Sequence, residues 1–235
     1  MYMTHTYAEH EPHFNPKIGG YLREAVFGFN DGLVSTFAVI AGLYGGAISN
    51  STILLAALAT LVGGAFSMGL GTYLGNKSER DLYFSEMARE KREMRDMPEA
   101  ERQEVRDIYA AKGFKGKQLE DIVRVITSDN ELWLDTMMRD ELGFGDPPEH
   151  PIKFGITMSA SFTIGSFIAT APFLFDSEPK NLFFISGTIS LAALITVGWL
   201  KTYFTKKNPF MSIFETLSIG ALAAGGAYVV GLFLT

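Results

Sequence analysis

The chain has 235 residues, a formal net charge of -6 and no cysteine. The missing cysteines exclude a disulfide framework and any thiolate metal site, and the acidic balance argues against nucleic acid as a partner. A hydrophobic fraction of 47% would suit a soluble protein, but the residue types are segregated. Of 26 acidic and 20 basic residues, 19 and 13 fall between Asn76 and Pro151, flanked by long runs rich in Gly, Ala, Phe, Leu and Ile.

Met1 to Pro16 is polar and lacks the basic-then-apolar order of a signal peptide. Its His5, His10 and His13, with Glu9 and Glu11, read either as a loose metal-binding group or as a solvated tail, taken as residues 1–20. The first apolar span is short. Leu33 to Ile48 gives 16 residues, against the roughly 20 that cross a bilayer. Extending it back to Ala25 gives 24 and brings Asn30, Asp31 and Gly32 inside. The second span runs from Thr52 to Leu74, with only Ser49 to Ser51 between the two, which predicts a tight helical hairpin.

The charged block follows, over residues 76–151. Asn76 to Met97 has no Gly or Pro and reads as a continuation of the second helix. Pro98 opens a helix over Glu99 to Ala111, with Gly113 as its stop. Lys117 to Ile126 places Leu119, Ile122, Val123 and Ile126 at helical spacing. A fourth helix runs from Asn130 to Leu142 and stops at Gly143, and GDPPEHP breaks the pattern. Three further spans cover Ile152 to Phe175, Leu182 to Phe204 and Phe210 to Leu234, with Pro172 placed to kink the first of them. The domain reading is therefore 21–75 and 152–235 in the membrane and 76–151 outside it. Lys17 and Arg23, the charged block, and Lys201, Lys206 and Lys207 fall on one side of a five-span chain, which the positive-inside rule makes the cytoplasm. The expected fold is an all-α membrane protein of five transmembrane helices with a helical cytoplasmic insert between the second and third.

Three groups of residues carry chemistry. Asp31 is a carboxylate within an apolar span, which costs about 2.5–3.5 kcal/mol on insertion scales and marks a cavity or a pair. Glu24 lies seven residues earlier, on the same helical face and about 10 Å away. The alternative is that NDG forms a turn and the span starts at Leu33. Met68 sits midway along the second span among small residues that admit a close neighbour. Its thioether is either a soft metal ligand or ordinary filler. Glu86, Glu90 and Glu93 share one face of the extended second helix, Glu101 and Glu104 one face of the next, and Met137, Met138 and Glu141 form a mixed face on the last. Carboxylates converging with thioethers suit a divalent transition metal. The competing reading is a solvated surface laced by Arg89, Lys91, Arg92 and Arg95. Glu215, in the last span, is a further intramembrane acid.

No catalytic signature appears. The insert has no Glu-x-x-His pair and its only histidine is His150, and no phosphate-binding glycine loop is present. An enzyme is not expected.

REAVFGFNDGLVSTFAVIAGL, GGAFSMGLGTYLGNKSERD, ELWLDTMMRDELGF and ETLSIGALAAGGAYVVG together resemble the vacuolar iron transporter family, over nearly the whole chain from Tyr21. The resemblance implies a homodimer of five-helix subunits that exchanges Fe²⁺, and often Mn²⁺ or similar ions, for protons along a path at the dimer axis. By resemblance, Asp31 and Met68 fall on the intramembrane metal positions and Glu24 on an acid at the cytoplasmic mouth. Glu90, Glu93, Glu101, Glu104, Met137 and Glu141 match the cytoplasmic metal-binding domain. NDG would then lie inside the helix. One departure is Thr60, where the family often has an acid two turns before the span-two Met. Many prokaryotic members shorten or lack the insert, which this chain keeps.

The resulting expectation is a transporter that moves Fe²⁺ out of the cytosol by proton antiport, with Mn²⁺, Co²⁺ or Zn²⁺ as further candidate ions. No permanent cofactor is expected, and the partners are metal ions, protons, membrane lipid and a second copy of the chain. The location would be the cell membrane of a prokaryote or a vacuolar-type membrane of a eukaryote. The rival reading is a membrane-anchored metal-binding or storage module; a buried Asp31 argues against it, because an anchor has no use for an intramembrane acid.

Overall fold

The computed structural model describes residues 16–175, 178–205 and 208–234, all arranged as helices and short connections without a strand. The N-terminal histidines, Lys206 and Lys207 lie outside the described residues. The helices are α1 (Pro16–Gly45), α2 (Asn50–Asp96), α3 (Pro98–Ala111), α4 (Gly116–Thr127), α5 (Asn130–Thr136), α6 (Pro151–Thr170), α7 (Pro179–Thr205) and α8 (Pro209–Leu234). A π-helical turn over Met137–Glu141 extends α5, and a 3₁₀ turn over Ala171–Leu174 extends α6. The chain divides into two compact units, one built from residues up to Tyr73 and from Ile152 onward, the other from Leu74–Pro151.

Among the described residues, five helices are long and apolar enough to cross a membrane, including Gly19–Gly45 at 27 residues and Pro209–Phe233 at 25. At 1.5 Å per residue, 25 residues reach about 37 Å, beyond the ~30 Å hydrocarbon core. Helix α1 passes through Asn30, Asp31 and Gly32 without a break, so NDG is helix and not turn. The span ends at Gly45 instead of Ile48, because Ala47 adopts a left-handed φ of 54° and Ile48 N–H donates back to the Leu43 carbonyl.

The core joins Leu33 and Ile40 of α1 to Ile53 and Ala57 of α2, Ala169 of α6, Phe173 of the 3₁₀ turn, and Leu182 and Leu194 of α7. Burying hydroxyls in such a core is costly unless each finds a partner, and serines meet this by donating across helix crossings. Ser166 Oγ donates to the Gly32 carbonyl at 3.0 Å, Ser186 Oγ to Ala169 at 2.7 Å and Ser212 Oγ to Gly198 at 2.9 Å. Ser159 Oγ donates to the Ala65 carbonyl. At Gly32 a Cβ would overlap the backbone carbonyl of Phe162, so glycine there sets how closely α6 approaches α1. In contrast, Phe210, Leu222 and Phe233 of α8 and Leu55 and Phe66 of α2 are exposed. Such apolar faces fit hydrocarbon better than water.

In the second unit, α3 starts with Pro98 at its first turn and gives way at Gly113, whose φ is +100°. The carboxylate of Asp129 caps α5 by accepting from Glu131 N–H at 2.8 Å and Leu132 N–H at 3.1 Å. The core is Val105, Val123, Ile126, Trp133 and Met137, and the Arg102 guanidinium lies 5.6 Å from the Trp133 ring centre. The expected helix Asn130 to Leu142 is α-helical only to Thr136. It then widens by one residue per turn, with Leu142 N–H reaching the Met137 carbonyl at 3.1 Å. The consecutive Met137 and Met138 are both buried there.

Candidate metal path and acidic cluster

Asp31 and Met68 line one open cleft of about 530 Å³ in the first unit, with Ser35, Ala59, Thr60, Gly63, Gly64, Ser67 and Phe162. The sequence alone placed the carboxylate and the thioether on separate helices; packing α1 and α2 against α6 brings them to the same cavity. The glycines and alanine on α2 keep the wall low, and the Phe162 ring packs so close to Gly64 that a Cβ there would overlap it. Ser35 Oγ donates to the Asp31 backbone carbonyl, one turn back along α1, so it does not occupy the carboxylate. Thr60 lines the same cleft, but its hydroxyl donates to the Ala56 carbonyl at 2.8 Å. The lining therefore offers a carboxylate oxygen and a thioether sulfur on apolar helices, donor types that together suit a dehydrated transition-metal ion better than Mg²⁺.

Glu24 lies two turns before Asp31 on α1. It is buried and held by Arg23, whose Nη2 and Nε donate to Glu24 Oε1 at 2.7 and 3.1 Å. It does not line the cleft of Asp31. Glu215 is exposed, 3.4 Å from Lys201 Nζ, and lines a different pocket of about 420 Å³ between α1, α7 and α8. The structure does not bring Glu215 to the cleft.

In the second unit the acids of α2, α3 and the π turn converge. Glu90 and Glu101 are buried, and Glu86, Glu93 and Glu104 half-buried. Desolvation pushes the Glu101 carboxyl up to about 7, helped by the negative charges of Glu104, Glu90, Glu93 and Glu141. Glu141, although an exposed residue, is also pushed up to about 7, first by desolvation and then by Glu90 and Glu104. Burial raises Glu90 as well, partly opposed by its hydrogen bond from Arg89. Arg89 sits among the α2 acids, with Nη1 3.0 Å from Glu86, Nη2 3.2 Å from Glu90 and Nε 3.4 Å from Glu93. Oε2 of Glu90 and Oε2 of Glu101 are buried without a hydrogen-bond partner among the described residues. Among the described residues, no three acidic or histidine side chains stand in ready-made ligating geometry. The cluster is charged, desolvated and under-satisfied, and held by an arginine.

The VIT family model matches residues 22–232, nearly the full chain. The chain belongs to the VIT family. A protein of rice named vacuolar iron transporter 1 is 38% identical over 226 residues, covering 94% of this chain and 90% of the relative. The protein of that name from Arabidopsis thaliana is 38% identical over 219 residues, covering 93% and 87%. A vacuolar iron transporter of Toxoplasma gondii is 31% identical over 236 residues, covering 96% and 78%. The family and these relatives are transporters and not enzymes, and the chain is a multi-pass membrane protein.

Two features of this VIT-family chain escaped the sequence reading. Arg89 stood there as one of four interleaved bases; only the rotamers show it reaching three carboxylates at once. Phe162 carried no signal either, since an aromatic in an apolar span is unremarkable until α6 is placed. Ser35, four residues after Asp31, is a cleft residue that helical spacing would have found, as it did Thr60 two turns before Met68.

Proposed function

We propose that this protein carries Fe²⁺, with Mn²⁺ and similar ions as alternative cargo, out of the cytosol in exchange for protons. The observation that carries the reading is the shared cleft, where Asp31 and Met68 meet on otherwise apolar helices. The names of the relatives support iron as the cargo. In this reading the N-terminus and the insert face the cytosol. Glu86, Glu90, Glu93, Glu101, Glu104 and Glu141, with Met137 and Met138, gather the ion, Glu24 receives it, and Asp31 and Met68 pass it on.

A cleft open on one side would expose a passing ion to lipid. A second copy of the chain closing it would supply another Asp31 and Met68, so the working unit is a homodimer with the path at its axis. Protons from the far side compete for the same carboxylates, which releases the metal and couples the two flows without a separate proton site. Thr60 leaves this path without the acid the family often has there, so release rests on Asp31. Reconstitution into liposomes that enclose a pH-sensitive dye tests the reading. Fe²⁺ entry accompanied by an opposite proton flow is expected. Entry without proton movement contradicts the antiport, and no entry at all contradicts transport.

A further inference from the structure

The geometry points to Arg89 as a resident cation that occupies the acidic cluster when no metal is bound and leaves when one arrives. This rests on the reading of the cluster as the site that gathers metal. The guanidinium sits 3.0 Å from Glu86, 3.2 Å from Glu90 and 3.4 Å from Glu93, so one positive charge is shared by three carboxylates. Its fit is incomplete. Arg89 Nε is buried and, despite its distance to Glu93, makes no hydrogen bond among the described residues, and Oε2 of Glu90 and Oε2 of Glu101 find no donor among them. Glu90 and Glu101 are 1% and 3% exposed, so water does not readily substitute for that missing partner.

A single planar monocation therefore balances part of the charge and leaves two buried oxygens unserved. A divalent ion bridging α2 and α3 would serve both, because it accepts oxygens from several directions. The Arg89 side chain is 43% exposed, which gives it a route to solvent once displaced. Capture is then an exchange: the guanidinium leaves and the metal enters. Arg89 keeps the empty cluster from repelling itself, and it weakens metal binding by competing for the same oxygens. It is a positioning residue, not a ligand.

The sign of its substitution separates this role from a purely structural one. If Arg89 only shaped the site, removing it would weaken metal binding; if it competes, removal strengthens it. The test is calorimetric titration of the full-length protein in detergent with Mn²⁺, in an Asp31→Ala background so that the membrane cleft does not contribute. Arg89→Gln is expected to bind roughly tenfold more tightly, the size expected from losing one partly exposed cation that competes for the same carboxylates. Arg89→Lys restores the charge and returns the affinity toward that of the parent. Arg124→Gln, which removes an exposed arginine paired with Asp121, leaves it unchanged. Parent binding that Glu101→Gln weakens, with Arg89→Gln unchanged or weaker, overturns the exchange while leaving the collecting site standing. Absent Mn²⁺ binding, or binding indifferent to Glu101→Gln, overturns the collecting site and the exchange with it.

Discussion

In the proposed path, Asp31 and Met68 divide the work of the cleft by chemistry. A carboxylate binds any divalent cation through charge, whereas a thioether adds affinity only for ions soft enough to use it. Met68→Ala is therefore expected to lower discrimination more than throughput. In competitive flux assays the preference for Fe²⁺ over Mg²⁺ should fall, and a preference equal to wild type would remove Met68 from the path. In the insert, Glu101 and Glu141 hold their protons up to about pH 7. Their pKa values are raised on folding, so the unfolded chain binds fewer protons than the folded one between about pH 4.5 and 7. The metal-free fold is thus most stable with both groups protonated and loses stability as pH rises through that window. Melting of the metal-free protein should begin at lower temperature at pH 7.5 than at pH 5. Mn²⁺ should reverse the loss at pH 7.5 and do little at pH 5, where Glu101 and Glu141 hold their protons. A pH profile that Glu101→Gln leaves unaltered would contradict this account of the cluster.

At the scale of elements, glycine and serine decide where the helices lie. Gly32 follows Asp31 directly, and the Phe162 backbone occupies the space a Cβ would take. Gly32→Ala must push α6 away from α1, at a cost of about 1–3 kcal/mol for overpacking, and would move the Phe162 wall of the cleft. Lowered melting temperature together with lost flux is expected; an unchanged melting curve would mean that the crossing tolerates the shift. The sequence made most of these helices legible, because apolar length, Pro98, Gly113 and Gly143 are local signals. It was silent on the π turn at Met137–Glu141, which arises when tertiary packing buries two consecutive methionines. It left NDG open because Asn, Asp and Gly are turn formers by local preference. Packing of Gly32 against Phe162 and the Ser166 hydrogen bond favour the helix instead. The cleft was legible only as Asp31 in one apolar span and Met68 and Thr60 in the next, since Phe162 lies nearly 100 positions from Met68 in the chain and no spacing rule links them.

For the whole molecule, the apolar faces of α2 and α8 set the context: bilayer on some, and in the proposed dimer a second copy over the open cleft. The chain contains no cysteine, so a single introduced thiol reports proximity without background. Ser67 is exposed and lines the cleft. Ser67→Cys in native membranes is expected to form a disulfide-linked dimer on mild oxidation, while Phe210→Cys on α8 is not. Cross-linking at Phe210 but not at Ser67 would place the second copy elsewhere and leave the cleft to lipid. The claim on which the account depends is that ions cross through Asp31. Fe²⁺ flux into proteoliposomes by wild type and Asp31→Ala measures this most directly, with melting and Mn²⁺ binding by the insert confirming that the variant is folded. The account predicts that flux falls about 10–100-fold, since a charged contact is worth ~1.5–3 kcal/mol, while Mn²⁺ binding by the insert persists. Wild-type flux in a folded Asp31→Ala protein would contradict it.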